Sequence, residues 1–207
     1  MVIVVPHVIA DGEEVVFDGD FPHEPARVYD LLMGALSEQG RVVIKFFVDG
    51  DDSLQSGEFP DTYKKIEAVS LSHDELTLRL ILESMKHLGQ TEEQFEAYVR
   101  NILSVPWSEV FRQMDQLITK VKPFAELLDN LGPYALTYEP PWKESLESVS
   151  KDQAESLNKI LTSFEQGNPA LLSDELSVRF LPVFKRTRKL FNEEVIPYLQ
   201  KQVEVPE

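Results

Sequence analysis

The chain has 207 residues, of which 43% are hydrophobic and 27% charged, with a formal net charge of −16 at pH 7. This composition is typical of a globular protein with a sizeable core and excludes an intrinsically disordered chain. The absence of cysteine excludes disulfides, iron–sulfur clusters, thiolate zinc sites and cysteine nucleophiles, and the negative charge argues against nucleic acid and anionic membranes as partners.

Short β-rich runs around one helix dominate the first 73 residues. The β-branched runs at 2–5 and 8–9 predict a first strand, and Asp11-Gly12 predicts a tight hairpin turn into a second strand at 13–17. Pro25 suits a first helical turn and Gly40 suits a helix end. The apolar residues between them recur at helical spacing and therefore predict a helix. Further strands are predicted at 41–48 and 66–71.

The predicted order of these elements is β-β-α-β-β. It resembles the order of β-grasp domains, the ubiquitin-like arrangement, and it is shared with other small four-stranded sheets. Element order of this kind implies a fold and no function.

Apolar residues then recur every three or four positions, which predicts helices. Ser72 to Glu75 and Thr91 to Gln94 both match a capping box, so two helices are predicted, the first ending at Gly89. A third helix follows Pro106 and is expected to kink or end near Pro123. Further helices are predicted at 143–166 and 174–202, the last bent at its two prolines, and Ile118 and Leu161 are placed on inward-facing stripes. The fold class is therefore α+β: a small mixed sheet with one helix (1–73), then an antiparallel bundle of four to five helices (74–207).

Residues 132–142, GPYALTYEPPW, are predicted to form an extended linker because they combine Pro-Pro, Gly and aromatics. Tyr134, Tyr138 and Trp142 lie in this segment. Two interpretations remain open: the aromatics pack on the bundle, or they form a binding platform for a partner.

An acidic loop is predicted at 49–60. Its candidate partner-binding residues are Asp49, Asp51 and Asp52. The segment does not match an EF-hand, since Leu54 stands where the motif requires glycine and Pro60 where it requires glutamate. The loop is either a solvated turn or a surface that attracts a basic partner.

One basic cluster stands out in the acidic chain. It consists of Lys185, Arg186, Arg188 and Lys189. These cations either cover acidic surface of neighbouring helices or form a site for an anion or an acidic partner.

Motifs for catalysis are missing from the sequence. Gly-x-Gly-x-x-Gly, the P-loop, Gly-x-Ser-x-Gly and His-Glu-x-x-His are all absent. The sequence therefore assigns no catalytic residue, no metal ligand and no cofactor. It favours a protein that is not an enzyme without deciding the question.

The leading functional hypothesis is a non-catalytic protein-interaction or regulatory module with a protein partner or self-association, including a homodimer. One alternative is an enzyme or small-molecule-binding protein with a pocket at the junction of the two domains, near His73, Tyr138 and Trp142. The other is a chaperone-like binder of a partner helix. A cytoplasmic location is predicted, because the sequence shows neither a signal peptide nor a run of about 18 apolar residues.

Overall fold

A computed structural model describes residues 6–204, except for the side chains of His87, Leu117 and Phe124. The chain divides into two compact units, Met1–Leu76 and Thr77–Glu207. Each unit has its own cluster of buried hydrophobic residues. The strand predicted at 2–5 lies outside the described residues.

The N-terminal unit is a five-stranded mixed sheet with two helices. Its elements are β1 His7–Ala10, β2 Glu13–Glu14, α1 Pro25–Glu38, β3 Arg41–Val48, β4 Asp51–Asp52, α2 Ser53–Ser56 and β5 Lys65–Ser72. The strand order is β2-β1-β5-β3-β4. β1 and β5 pair in parallel, and the other neighbours pair antiparallel. The predicted α+β class is confirmed, and this strand order resembles the β-grasp arrangement.

The first hairpin turn has the backbone that its sequence predicts. Asp11 and Gly12 both have positive φ, 51° and 87°, as a type I′ turn requires. The Asp11 carboxylate also accepts a hydrogen bond from the Ser70 amide at 2.7 Å, and the Arg41 guanidinium donates to the Ser70 hydroxyl at 2.8 Å. These bonds tie the turn to β3 and β5 at one end of the sheet.

The predicted acidic loop contains more regular structure than expected. Asp49 and Gly50 also have positive φ, 52° and 102°, so they form a second tight turn, from β3 into β4. The Asp52 carboxylate then caps α2 by accepting hydrogen bonds from two backbone amides of that helix. The prediction of a loop over 49–60 was therefore wrong for residues 51–56, which form β4 and α2.

Both edges of the described sheet are short and acidic. β2 is Glu13–Glu14, shorter than the predicted strand at 13–17, and β4 is Asp51–Asp52. Two-residue edge strands that carry charge discourage pairing with a further strand. Partner binding by strand addition at these edges is therefore disfavoured.

The second part of the chain is helical. Its elements are α3 His73–Asn101, α4 Trp107–Tyr138, α5 Lys143–Glu165, α6 Pro169–Asp174, a π-helical segment Glu175–Phe180, α7 Leu181–Leu190, a second π-helical segment Phe191–Val195 and α8 Ile196–Glu204. Pro182 and Pro197 each lie just after a π-helical segment. The wider π turn accommodates a residue that lacks an N–H and crowds the carbonyl four positions earlier.

Helix α3 starts as predicted and ends later than predicted. The Glu75 amide donates to the Ser72 hydroxyl at 3.1 Å, and the Ser72 amide donates to the Glu75 carboxylate at 2.7 Å, so this capping box is real. The box at Thr91 is not, because the helix continues through Gly89 and buries Thr91. One interior glycine costs a helix only about 1 kcal/mol relative to alanine, which packing outweighs.

Helix α4 is longer than predicted. It runs without interruption through Pro123 and Pro133 to Tyr138. The helix therefore does not end at Pro123, and the extended linker predicted at 132–142 is wrong for residues 132–138. Leu131 and Ala135, on either side of the second proline, are each 2% exposed. Their burial offsets the lost backbone hydrogen bonds and keeps the segment helical.

Candidate functional site

An apolar cleft of about 270 Å³ lies between α4 and α5. Its walls are Met114, Ile118, Val121 and Ala125 of α4, and Leu157, Ile160, Leu161 and Phe164 of α5. The spacing within each set places its members on one face of the helix. Lys122 is the one charged residue of the lining.

The floor of the cleft is closely packed. Phe95 of α3 and Phe180 of the first π-helical segment are 2% and 3% exposed, and their ring centroids lie 5.1 Å apart. Leu176, which also lines the cleft, is fully buried. The cleft therefore stands above the core of the helical unit.

Two large apolar side chains at the cleft remain half exposed. Ile118 is 48% exposed and Leu161 is 56% exposed, although both are predicted to face inward. Phe111, three residues before Met114 on α4, is 47% exposed, and its ring lies 4.9 Å from that of Phe164. The apolar surface therefore continues from the cleft toward the start of α4.

The residues that line the cleft provide apolar contacts and do not form an acid–base site. Its only ionisable group, the Lys122 ammonium, lies 3.5 Å from the Glu126 carboxylate on the same helix. General acid–base or nucleophilic catalysis needs positioned titratable groups. The arrangement suits binding of an apolar group.

The acidic candidates of the N-terminal unit have different roles in the structure. The Asp49 carboxylate accepts hydrogen bonds from the Lys65 and Lys64 amides at 2.8 and 2.9 Å, so it closes the start of β5. Asp52 caps α2. Asp51 is exposed on the edge strand β4, so of the three it alone presents a carboxylate without one of these structural roles.

The aromatic candidates are mostly in the core. Trp142 is 1% exposed, and its ring stacks on that of Tyr134 with centroids 5.9 Å apart and planes within 5°. Tyr134 is 9% exposed, whereas Tyr138 is 43% exposed. In this conformation only Tyr138 is available to a partner, and the other two hold α4 against α5.

The basic cluster of α7 is paired within the helical unit. Its ion pairs are Lys185 with Glu96 at 2.6 Å, Arg188 with Glu92 at 2.5 Å, Arg186 with Asp152, and Lys189 with Glu193 at 3.7 Å. These pairs connect α7 with α3, α5 and the second π-helical segment. The geometry corresponds to the intramolecular interpretation of the cluster.

We expect the pair between Glu96 and Lys185 to make stability depend on pH. The ammonium of Lys185 lowers the pKa of Glu96 below its ordinary value. A carboxylate with a lowered folded-state pKa stabilises the protein above the unfolded-state pKa, and this contribution is lost as pH falls through the folded-state pKa. Glu96→Gln should therefore lower Tm at pH 7 and have no effect near pH 2, as measured by thermal unfolding across that range.

The matched control is Glu93→Gln. Glu93 is exposed on the same helix and has no ion pair among the described residues. The Tm of the Glu93→Gln variant should equal that of the parent chain at every pH. A Tm deficit in Glu96→Gln that persists unchanged at pH 2 would contradict the electrostatic origin of the effect.

Among the described side chains of residues 6–204, no three from histidine, aspartate or glutamate lie close enough together to hold a metal ion. None of the helices in the same range combines the length and apolar character needed to cross a membrane. The apolar cleft therefore stands as the candidate site.

Comparison with known proteins yields no relative. No family model, no curated protein and no solved structure matches this chain.

Proposed function

We propose that this protein is a non-catalytic interaction module that receives a partner protein in the apolar cleft between α4 and α5. The observation that carries the proposal is the half-exposure of Ile118 and Leu161 on facing helices above an apolar floor. Apolar surface removed from water contributes about 25 cal/mol per Å². A partner that covers these side chains gains this contribution.

The size of the cleft favours a side chain over a drug-sized ligand. Pockets for such ligands occupy about 300–1,000 Å³, and an apolar cavity of about 150 Å³ holds one benzene. A cleft of about 270 Å³ therefore suits one or two apolar side chains. Because its walls are two helices, it has the form of a helix-in-groove site.

The same cleft supports the chaperone-like alternative. A holder of partner helices needs an exposed apolar groove, which the half-exposed Ile118 and Leu161 provide. The two functions differ in the number of partners, since an interaction module binds one defined protein and a holder binds many. The predicted pocket at the junction of the two domains stays a prediction.

The test compares two leucine variants of the full chain in quantitative pull-downs from native lysate. Leu161→Asp places a charge in the cleft, and Leu136→Asp is the control. Leu136 is similarly exposed at 64% and lies 18 residues from Ile118 on α4, about 27 Å along the axis.

We expect one defined partner with the parent chain and with Leu136→Asp, and at least a tenfold loss with Leu161→Asp. Burying a leucine contributes about 1.5–3 kcal/mol, and about 1.4 kcal/mol is tenfold in affinity. Both variants must keep the Tm of the parent. Undiminished capture by Leu161→Asp would refute docking in the cleft, and capture of many unrelated proteins would favour the holder.

A further inference from the structure

Acidic side chains lie next to the half-exposed apolar residues of the cleft. Asp115 precedes Ile118 by three residues on α4, and Glu165 follows Leu161 by four residues on α5. Residues three or four apart on a helix are surface neighbours. Both carboxylates are exposed, and in the described part of the chain neither takes part in an ion pair.

The cations on this side of α4 are already engaged. Lys122 lies 3.5 Å from Glu126 and Arg112 lies 2.7 Å from Glu109. Lys120 donates to the side chain of Gln94 of α3 at 2.7 Å. Asp115 and Glu165, which have no ion-pair partner among the described residues, therefore place negative charge at the rim of the cleft, in a chain whose net charge is −16.

The apolar contact points have a helical spacing. Phe111 and Ile118 are seven residues apart, so they lie about 10.5 Å apart along α4. Apolar residues at positions i and i+7 of a partner helix have the same separation, and positions i+3 and i+4 of that helix lie between them. A partner helix can thus contact Phe111, the cleft and Ile118 with one face.

We infer that the occupant of the cleft is an amphipathic helix of a partner protein whose apolar face is flanked by lysine or arginine. Its apolar side chains enter between α4 and α5, and its cations face Asp115 and Glu165. Such charge complementarity speeds encounter and rejects acidic helices. The inference rests on the proposed function and adds the chemistry of the partner.

A second copy of this chain is a poorer occupant. Among the described helices α7 carries the basic cluster, but its four cations have intramolecular partners. Its apolar residues Val183, Phe184 and Leu190 are buried in the same unit. Helix α7 therefore offers no free basic amphipathic face to a neighbouring copy.

The test uses the full chain and two synthetic helical peptides of equal length. Both carry leucine at helical spacing, and the remaining positions are lysine in one peptide and glutamate in the other. Binding is measured by fluorescence anisotropy at low and physiological salt. We expect the leucine/lysine peptide to bind at least tenfold more tightly than the leucine/glutamate peptide, with a difference that shrinks as salt rises.

Two charge variants separate a local effect from a general one. The double variant Asp115→Lys, Glu165→Lys should remove most of the preference for the lysine peptide. Glu147→Lys, Glu204→Lys changes the net charge by the same amount at exposed positions away from the cleft, and it should keep most of the preference. Equal loss in both double variants would overturn the assignment to Asp115 and Glu165.

Leu161→Asp distinguishes the two proposals. If the parent chain binds both peptides equally and this variant binds neither, docking in the cleft is supported and the preference for a basic partner is refuted. Peptide binding that is unchanged in Leu161→Asp would refute docking in the cleft. Sedimentation of the full chain completes the test. If the parent chain is a dimer and Leu161→Asp dissociates it, a second copy of the chain, and not a basic helix of another protein, occupies the cleft.

Discussion

Replacing Trp142 by alanine should lower the free energy of unfolding by about 3–5 kcal/mol, the range for removing a buried aromatic side chain. The indole is 1% exposed. It stacks on Tyr134 of α4, and its edge-to-face contact with Tyr198 of α8 has a centroid distance of 6.2 Å. Alanine would leave a cavity where α4, α8 and the start of α5 meet. Urea unfolding followed by far-ultraviolet circular dichroism measures the loss.

Two further variants make this prediction specific. Tyr138 belongs to the same aromatic group but is 43% exposed, so Tyr138→Ala should cost only about 1 kcal/mol, the value of an aromatic pair. The Trp142 indole N–H has no acceptor among the described residues. Trp142→Phe keeps a ring and removes that unpaired donor, so it should cost less than half as much as alanine. Equal losses for Trp142→Ala and Tyr138→Ala would contradict the burial of Trp142.

Replacing Asp49 by alanine should destabilise the N-terminal unit by about 2–3 kcal/mol. Two backbone amides, of Lys64 and Lys65, lose their acceptor, at about 1 kcal/mol for each hydrogen bond. Asp49 also has φ of 52°, which costs an alanine about 1 kcal/mol. Because the two units have separate cores, amide hydrogen exchange in β3 and β5 is the appropriate measurement.

Asp51→Ala is the control for the change in charge. Asp51 is exposed two residues further along the same turn and strand, and its replacement should change stability by less than about 0.5 kcal/mol. Asp49→Asn should fall between the two alanine variants, since asparagine tolerates positive φ and keeps an acceptor oxygen. If both alanine variants had the same small effect, Asp49 would be a surface group without a structural role.

The helices show how far local sequence alone predicts where a helix begins. Ser72 to Glu75 and Thr91 to Gln94 match the same capping pattern, yet only the first caps a helix. Thr91 is 3% exposed, and Glu92 pairs with Arg188, almost one hundred residues away. Contacts between residues so far apart in the sequence decide which capping box forms, and a short window of sequence does not contain them.

The N-terminal sheet was more predictable because its signals are local. Asp11-Gly12 and Gly40 specify backbone conformations with positive φ that few other residues adopt, and the structure has them. The Asp49-Gly50 turn carried the same signal, but its acidic surroundings favoured a loop. The β-β-α-β-β order of the elements suggested a β-grasp-like order of the strands. In the structure, the parallel pairing of β1 with β5 completes that order.

The cleft could not be predicted, because it depends on how closely α4 and α5 approach. Ile118 and Leu161 have the spacing of core residues and are nevertheless half exposed. One signal was available in α4: Phe111 and Ile118 widen its apolar stripe beyond the arc that a core-facing helix needs. A stripe of that width is a reason to look for an unfilled apolar surface.

Residue-specific photocrosslinking tests the central claim, docking of a partner in the cleft, most directly. A benzophenone amino acid is placed at position 161 of the full chain, or at position 136 as the control, and adducts formed in native lysate are mapped by mass spectrometry. We predict that position 161 yields an adduct with one protein, mapped to a lysine- or arginine-flanked amphipathic helix, and that position 136 does not. No adduct at position 161, or the same adducts at both positions, would contradict it.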